Sequence, residues 1–215
     1  MLWRYLPLAG TVLIVAITVG VRPWLQHRRH GTFGIQLFRS GQPAQTLRDA
    51  ALVILIGLLI GQAAVAATSR RAPALLIAAP GALHTPLQIA GAALLLGGIG
   101  LLAAAQLNMG PSWRIGLKED EAPGLVTGGL YRLCRHPIYL GLLTALAGYT
   151  VLLPTPLSLA LLAAAYVGAR LQAAAEERYL ARTYGKAFRA YARRGGRFLP
   201  GIGTVAMPEE ANGER

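Results

Sequence analysis

Two short stretches of this sequence carry residue types able to bind and activate a small molecule. The first runs Leu125-Val126-Thr127-Gly128-Gly129-Leu130-Tyr131-Arg132-Leu133-Cys134-Arg135-His136-Pro137-Ile138-Tyr139. Gly128-Gly129 permits a tight turn or a close backbone approach to a ligand. Pro137 suits the first turn of a helix, whose unpaired amides, with Arg135 alongside, favour an anionic group such as a carboxylate. His136 adjoins that helix start, and Tyr139 adds a ring and a hydroxyl in the same turn. The second stretch centres on Glu176-Glu177, with Arg170 and Gln172 before it and Tyr184-Gly185, Tyr191 and Arg194 after it. Four residues beyond the two acids stand Leu180 and Ala181, so pairing along a helix surface does not account for them. A carboxylate here can take a ribose hydroxyl or an ammonium group, and a neighbouring Arg or Gln can hold a substrate head. Readings without chemistry also exist. The first stretch fits an interfacial belt of Tyr, Arg and His, and the second a basic amphipathic anchor.

The elements that must position these residues are apolar helices. Five apolar stretches, 6–21, 50–67, 87–107, 138–153 and 156–171, approach the ~20 residues that cross a ~30 Å hydrocarbon core. The last two are separated only by Pro154-Thr155-Pro156, which predicts a tight helical hairpin. Residues 173–191 then read as an amphipathic helix broken at Gly185, with Arg182, Lys186, Arg189 and Arg193 on one face and Leu180, Tyr184, Phe188 and Tyr191 on another. Small residues are dense within the spans. Gly57 and Gly61 are four apart and Gly91, Gly97, Gly98 and Gly100 share the third span, a composition that lets helix backbones approach closely.

The fold class expected is therefore all-α, a polytopic membrane protein of about five transmembrane helices. Residues 1–110 form three spans, 111–201 hold both chemical stretches, and 202–215 form a disordered tail. A hydrophobic share of 54% with only 14% charged residues supports the bilayer as solvent. The formal charge of +12 does not indicate nucleic acid, because its arginines flank apolar runs where anionic headgroups would meet them. Basic residues concentrate in 22–48, 114–135 and 170–197, which five spans place on one side. That side is cytoplasmic, with the N-terminus outside and the C-terminus inside, although Arg70 and Arg71 fall on the outer side. The Ala-, Arg- and Gly-rich composition fits a bacterial inner (plasma) membrane. Cys134 is the single cysteine, so no intramolecular disulfide forms. The scattered histidines and the solvated acidic run Glu119-Asp120-Glu121 give no metal site.

The two stretches together resemble the isoprenylcysteine carboxyl methyltransferase family and its relatives, the phospholipid N-methyltransferases. The resemblance covers residues 123–201: Leu-Val-Thr-x-Gly-x-Tyr-x-x-x-Arg-His-Pro-x-Tyr-x-Gly, a hairpin, then Glu-Glu-x-x-Leu-x-x-x-Tyr-Gly-x-x-Phe-x-x-Tyr-x-x-Arg and a late Leu-Pro. It implies a membrane enzyme whose cytoplasmic S-adenosylmethionine pocket is formed by the last loop, the hairpin and the C-terminal helix. By motif, Gly124, Leu125, Val126, Tyr131, His136, Pro137, Ile138 and Tyr139 would line the cofactor site, with Glu176 contacting the cofactor from the last helix. Members that methylate a carboxylate carry an arginine four residues before that glutamate. This chain has Gln172 there, so that either Arg170 reaches round to supply the charge or the acceptor is not a carboxylate.

The partners implied are a lipophilic small-molecule or lipidated acceptor and membrane lipids. Methyl transfer from a sulfonium mainly requires alignment of nucleophile, methyl carbon and sulfur. A carboxylate acceptor needs no base; a thiol or amine would call on Glu176, Glu177 or a tyrosine. Two other classes fit parts of the pattern. A sterol-reductase-type enzyme would use a nicotinamide cofactor and tends to show an Arg-Asp-Glu-type motif that Ala-Ala-Glu-Glu-Arg matches less well. A non-catalytic membrane scaffold needs only the small-residue spans and the amphipathic tail.

Overall fold

Apolar sequence and proline punctuation set the helices. The computed structural model describes residues 2–69, 73–77, 84–116 and 124–204. The first 28-residue helix, Trp3–His30, comprises α1 (Leu6–Val15), a wider π-helical turn (Ala16–Val21) and α2 (Arg22–His30). The wide turn precedes Pro23, whose missing N–H and ring bulk an ordinary α-turn tolerates poorly. Gly31 ends α2 in the left-handed conformation, φ 73°, with its N–H on the His27 carbonyl at 2.9 Å. There follow α3 (Pro43–Thr68), α4 (Thr85–Asn108), α5 (Pro137–Leu152) and α6 (Pro156–Arg194), each with proline in its first turn. Among the described residues extended pairing is limited to two isolated bridges, Ile35 with Ile115 and Cys134 with Gly196.

Among the described residues four helices are long and apolar enough to cross a membrane: Trp3–His30, α3, α4 and α6. The fifth expected span, α5, has 16 residues and rises ~24 Å, short of a full hydrocarbon core. It is sheltered instead. One core cluster joins it to α3 and α6 through Leu59, Ala63, Leu146, Tyr149, Leu161 and Ala165, and another joins it to α4 through Leu95, Ile99, Ala145 and Leu152.

Contact between α4 and α5 is backbone on backbone. A Cβ at Gly98 would lie 2.3 Å from the Ala145 nitrogen, one at Gly148 2.3 Å from the Leu95 nitrogen, and one at Gly141 2.5 Å from the Leu102 nitrogen. Glycine is required there, as small-residue packing in a bilayer demands. The expectation holds for Gly91 and Gly98 only. Gly57, Gly61, Gly97 and Gly100 have open space where a Cβ would stand, because they lie on the outward faces of α3 and α4.

The hairpin forms at Leu153-Pro154-Thr155. Thr155 caps α6 by accepting from the Ser158 N–H at 3.1 Å. The Gln62 amide of α3 donates to the Thr155 and Ser158 hydroxyl oxygens at 2.7 and 2.9 Å, and the Tyr149 hydroxyl lies 3.1 Å from the Leu59 carbonyl. Beyond the hairpin, the sixth helix continues without interruption from the apolar 156–171 into the amphipathic segment. Its one non-helical residue is Gly185, at φ 49° and ψ −119°. The expectations placed on Arg70, Arg71, the acidic run 119–121 and most of the 202–215 tail lie outside the described residues.

Candidate active site

The loop before α5 is built by short-range geometry. Gly129 adopts φ 58°, and a Cβ there would lie 2.1 Å from the Asn108 amide oxygen, which also accepts from the Leu130 N–H at 3.0 Å. The turn that follows, Gly129–Arg132, buries Tyr131, whose carbonyl accepts the Tyr191 hydroxyl at 2.7 Å. The chain after α6 then returns across the start of α5. The Arg135 and His136 N–H groups donate to the Gly196 and Arg197 carbonyls at 2.8 and 3.0 Å.

His136 occupies the position before α5 and is 6% exposed. Its Nδ1 lies 3.4 Å from Oε2 of Glu176 and its Nε2 3.2 Å from Oε1 of Glu177. Burial alone would push the imidazole pKa down, but hydrogen bonds and charge from the two carboxylates outweigh it and raise the value above the usual histidine range. The ring is thus held between consecutive glutamates of α6.

The two glutamates differ sharply. Glu177 accepts from Arg135 Nε at 2.9 Å and from Arg197 Nη2 at 2.5 Å, in addition to facing His136. Burial opposes its charge, yet these three partners prevail and hold its pKa at about 2. Glu177 is a structural anion. Arg135, expected to stand ready for a ligand anion, is instead occupied by Glu177 and by the carbonyls of Ala192, Gly195 and Gly203. The negative charge that the start of α5 attracts comes from the protein itself.

Glu176 keeps a side-chain exposure of 30%. It accepts from the Tyr139 hydroxyl at 2.5 Å and from the Gln172 amide at 3.4 Å. The Phe198 ring lies 6.0 Å from His136 and 6.4 Å from Tyr139, closing one side of the cluster.

Gln172 is in turn fixed from across the bundle: its amide oxygen accepts from Arg48 Nε of α3 at 3.0 Å. Arg48 also donates to Gln45 Oε1 at 2.7 Å, Gln45 donates to Asp49 at 2.7 Å, and Asp49 takes the Phe38 N–H at 2.8 Å. Neither Arg48 nor Arg197 belongs to the motif pattern. Glu177 does, as the second acid of the Glu-Glu pair, but its role as a partner of Arg135, Arg197 and His136 is not part of that reading.

Of the residues singled out in the sequence, His136, Tyr139, Gln172 and Glu176 come together. Pro137 is buried beneath them, and Ile138 is partly buried in the same turn. Gly124, a loop residue with φ 90°, lies apart from them: its N–H meets the hydroxyl of Tyr184, two turns beyond Glu176 along α6, at 2.8 Å, and Leu125 and Val126 follow it half-buried in the loop. Tyr131 is buried near the cluster, where the charge of Glu176 adds to burial in raising the pKa of its hydroxyl. Arg170 does not join. Its guanidinium lies over the Tyr166 ring and donates to that hydroxyl at 3.1 Å on the exposed surface. Two residues along a helix are about 200°, so Arg170 faces away from Gln172.

Two comparisons with known proteins bear on the chain as a whole. Residues 87–187 match the family model described as phospholipid methyltransferase. No curated protein matches the sequence. In fold the chain is similar to the eukaryotic intramembrane Ras methyltransferase ICMT (isoprenylcysteine carboxyl methyltransferase). The TM-score is 0.59 at 18% identity, covering 94% of this chain and 69% of that one. The chain is phospholipid-methyltransferase-like in sequence over 87–187 and ICMT-like in its polytopic fold, and the two findings support a membrane methyltransferase.

Proposed function

We propose that the protein is an S-adenosylmethionine-dependent methyltransferase acting on a lipophilic acceptor at the cytoplasmic face of a bacterial inner membrane. The observation that carries this reading is the partly exposed Glu176, held by Tyr139, Gln172 and His136 at the start of α5.

The donor set suits the cofactor. Glu176 retains exposed carboxylate oxygen for ribose hydroxyls or an ammonium group, and the 124–126 backbone with the Tyr131 and Ile138 region offers peptide groups and apolar contact. When bound, S-adenosylmethionine supplies a methyl group on a sulfonium leaving group. The residues of this chain need only hold the partners and exclude water. Glu176 is oriented from three sides before any ligand arrives. Glu177 cannot serve as a base, because its charge is committed to Arg135, Arg197 and His136. Burial raises the Tyr131 hydroxyl pKa and makes its phenolate costly. For a thiol or amine acceptor, Glu176 is the carboxylate left to accept a proton.

Cofactor retention after purification in mild detergent tests the reading. Co-purified S-adenosylmethionine or its demethylated product supports it. A nicotinamide dinucleotide would replace it with a reductase, and neither cofactor, even on addition, would leave a scaffold.

A further inference from the structure

The hydrogen bonds that join the start of α3 to the Glu176 cluster all run outward from Arg48. Toward α3, Arg48 Nη2 donates to the Gln45 amide oxygen and the Gln45 nitrogen to Asp49, both at 2.7 Å. Toward α6, Arg48 Nε donates to the Gln172 amide oxygen at 3.0 Å and the Gln172 nitrogen to Glu176 at 3.4 Å. We propose that Arg48 is a positioning residue of the site: by holding Gln172, it fixes the direction in which Glu176 presents its carboxylate to the cofactor. This rests on the reading of Glu176 as a cofactor contact. None of the residues assigned to that contact by motif lies on α3.

Polarity carries the argument. A guanidinium has donors and no acceptor, whereas a glutamine amide has an oxygen at one end and an NH2 at the other. Contact with Arg48 therefore turns each neighbouring glutamine oxygen-first toward the guanidinium and leaves its NH2 aimed at a carboxylate. On one side that carboxylate is Asp49, on the other Glu176. A Gln172 amide released from Arg48 can turn over and set its oxygen against Glu176, a pairing of two acceptors that repel. Helix spacing alone does not prevent this. Gln172 stands one turn before Glu176, so the two side chains meet, but both are partly exposed and keep rotamer freedom of their own.

Arg48 can act as a support because it is fixed from behind. Gln45 and Asp49 are buried, and the second Asp49 oxygen accepts the Phe38 N–H at 2.8 Å. Phe38 has φ 61°, a left-handed conformation that a non-glycine residue keeps only where its surroundings hold it. The same loop is tied to the segment after α4. The Gln36 N–H donates to the Ile115 carbonyl at 2.7 Å, and the Ile115 N–H to the Gly34 carbonyl at 2.8 Å. A contact that merely joined α3 to α6 would act on stability and leave cofactor affinity alone, so the two roles separate by experiment.

Titration calorimetry of S-adenosylmethionine on the full-length protein in mild detergent, with Tm read on the same samples, makes the separation. Arg48→Met and Gln172→Leu should each weaken binding by roughly tenfold. The doubly substituted protein should bind no more weakly than either single variant, because both act through one contact. In a Glu176→Gln background Arg48→Met should have no further effect, since the group that it orients is gone. Arg48→Lys keeps a cation that only donates and should preserve most of the affinity. Gln172→Leu carries the test if Arg48→Met folds poorly. Wild-type affinity in folded Arg48→Met and Gln172→Leu proteins would overturn the proposal and leave the methyltransferase reading in place. So would an equal loss from Arg48→Met with and without Glu176. Undiminished affinity in Glu176→Gln would instead remove the cofactor reading of Glu176, and the role of Arg48 with it.

Discussion

His136 Nε2 lies 3.2 Å from Oε1 of Glu177, while the opposite nitrogen of the same ring faces Glu176, so the buried imidazole joins a structural carboxylate to a half-exposed one. This contact divides the labour between adjacent glutamates, and the two should respond differently to mutation. Glu177→Gln leaves Arg135 and His136 buried with weakened partners. It should cost about 3–5 kcal/mol, the range for breaking a buried ion pair, and thermal melting in detergent should show a large fall in Tm. Glu176→Gln should leave Tm nearly unchanged and weaken cofactor binding instead. A large Tm loss confined to Glu176→Gln would reverse these assignments.

The pH dependence of stability follows from the same ring. The His136 pKa is raised above its ordinary 6.5, so its contribution is fully present below about pH 6.5 and is lost as pH rises through the folded value. Glu177 is depressed from 4.5 to about 2, so its contribution is present above about pH 4.5 and is lost as pH falls toward 2. Stability should therefore be greatest between these limits. His136→Asn should flatten the alkaline side of a Tm-against-pH curve and leave the acid side. An unchanged alkaline slope would show that His136 is not charged in the folded protein.

The α4–α5 contact predicts sharp positional selectivity. Gly98→Val and Gly148→Val force a side chain into backbone already within van der Waals reach and should each cost at least about 3 kcal/mol or prevent folding. Gly57→Val and Gly61→Val meet open space and should shift Tm little. Parallel melts of the four variants check this.

These glycines show how far the sequence could be read. Its small residues announced close helix packing, but periodicity alone did not tell Gly98, against Ala145, from Gly97, which faces outward. The hairpin and the break at Gly185 were legible because proline and glycine act locally, whereas the association of His136 and Tyr139 with Glu176 came only from the family resemblance. Arg48 was not legible, since its contact with Gln172 spans 124 positions between helices and depends on tertiary packing. Arg197 was equally hidden. It reaches Glu177 only because the chain turns back beyond α6 to pair with Arg135 and His136.

Substrate handling should depend on Arg48 rather than on Arg170. Arg170→Ala removes a guanidinium that rests on Tyr166 and should leave methyl transfer within about twofold, whereas Arg48→Gln frees the Gln172 amide and should reduce it by roughly tenfold. Transfer of labelled methyl groups to lipophilic carboxylates, thiols and amines would measure both. Loss of transfer in Arg170→Ala alone would restore the assignment made from the sequence.

Binding of S-adenosylmethionine, followed by titration calorimetry on the purified protein, tests the central claim most directly. The wild-type protein should bind it. Glu176→Gln and Tyr139→Phe should each weaken binding by roughly ten- to a hundredfold, the value of a hydrogen bond involving a charged group, without lowering Tm. Wild-type affinity in a well-folded Glu176→Gln protein, or no binding by the wild type, would contradict the assignment of this cluster as the cofactor site.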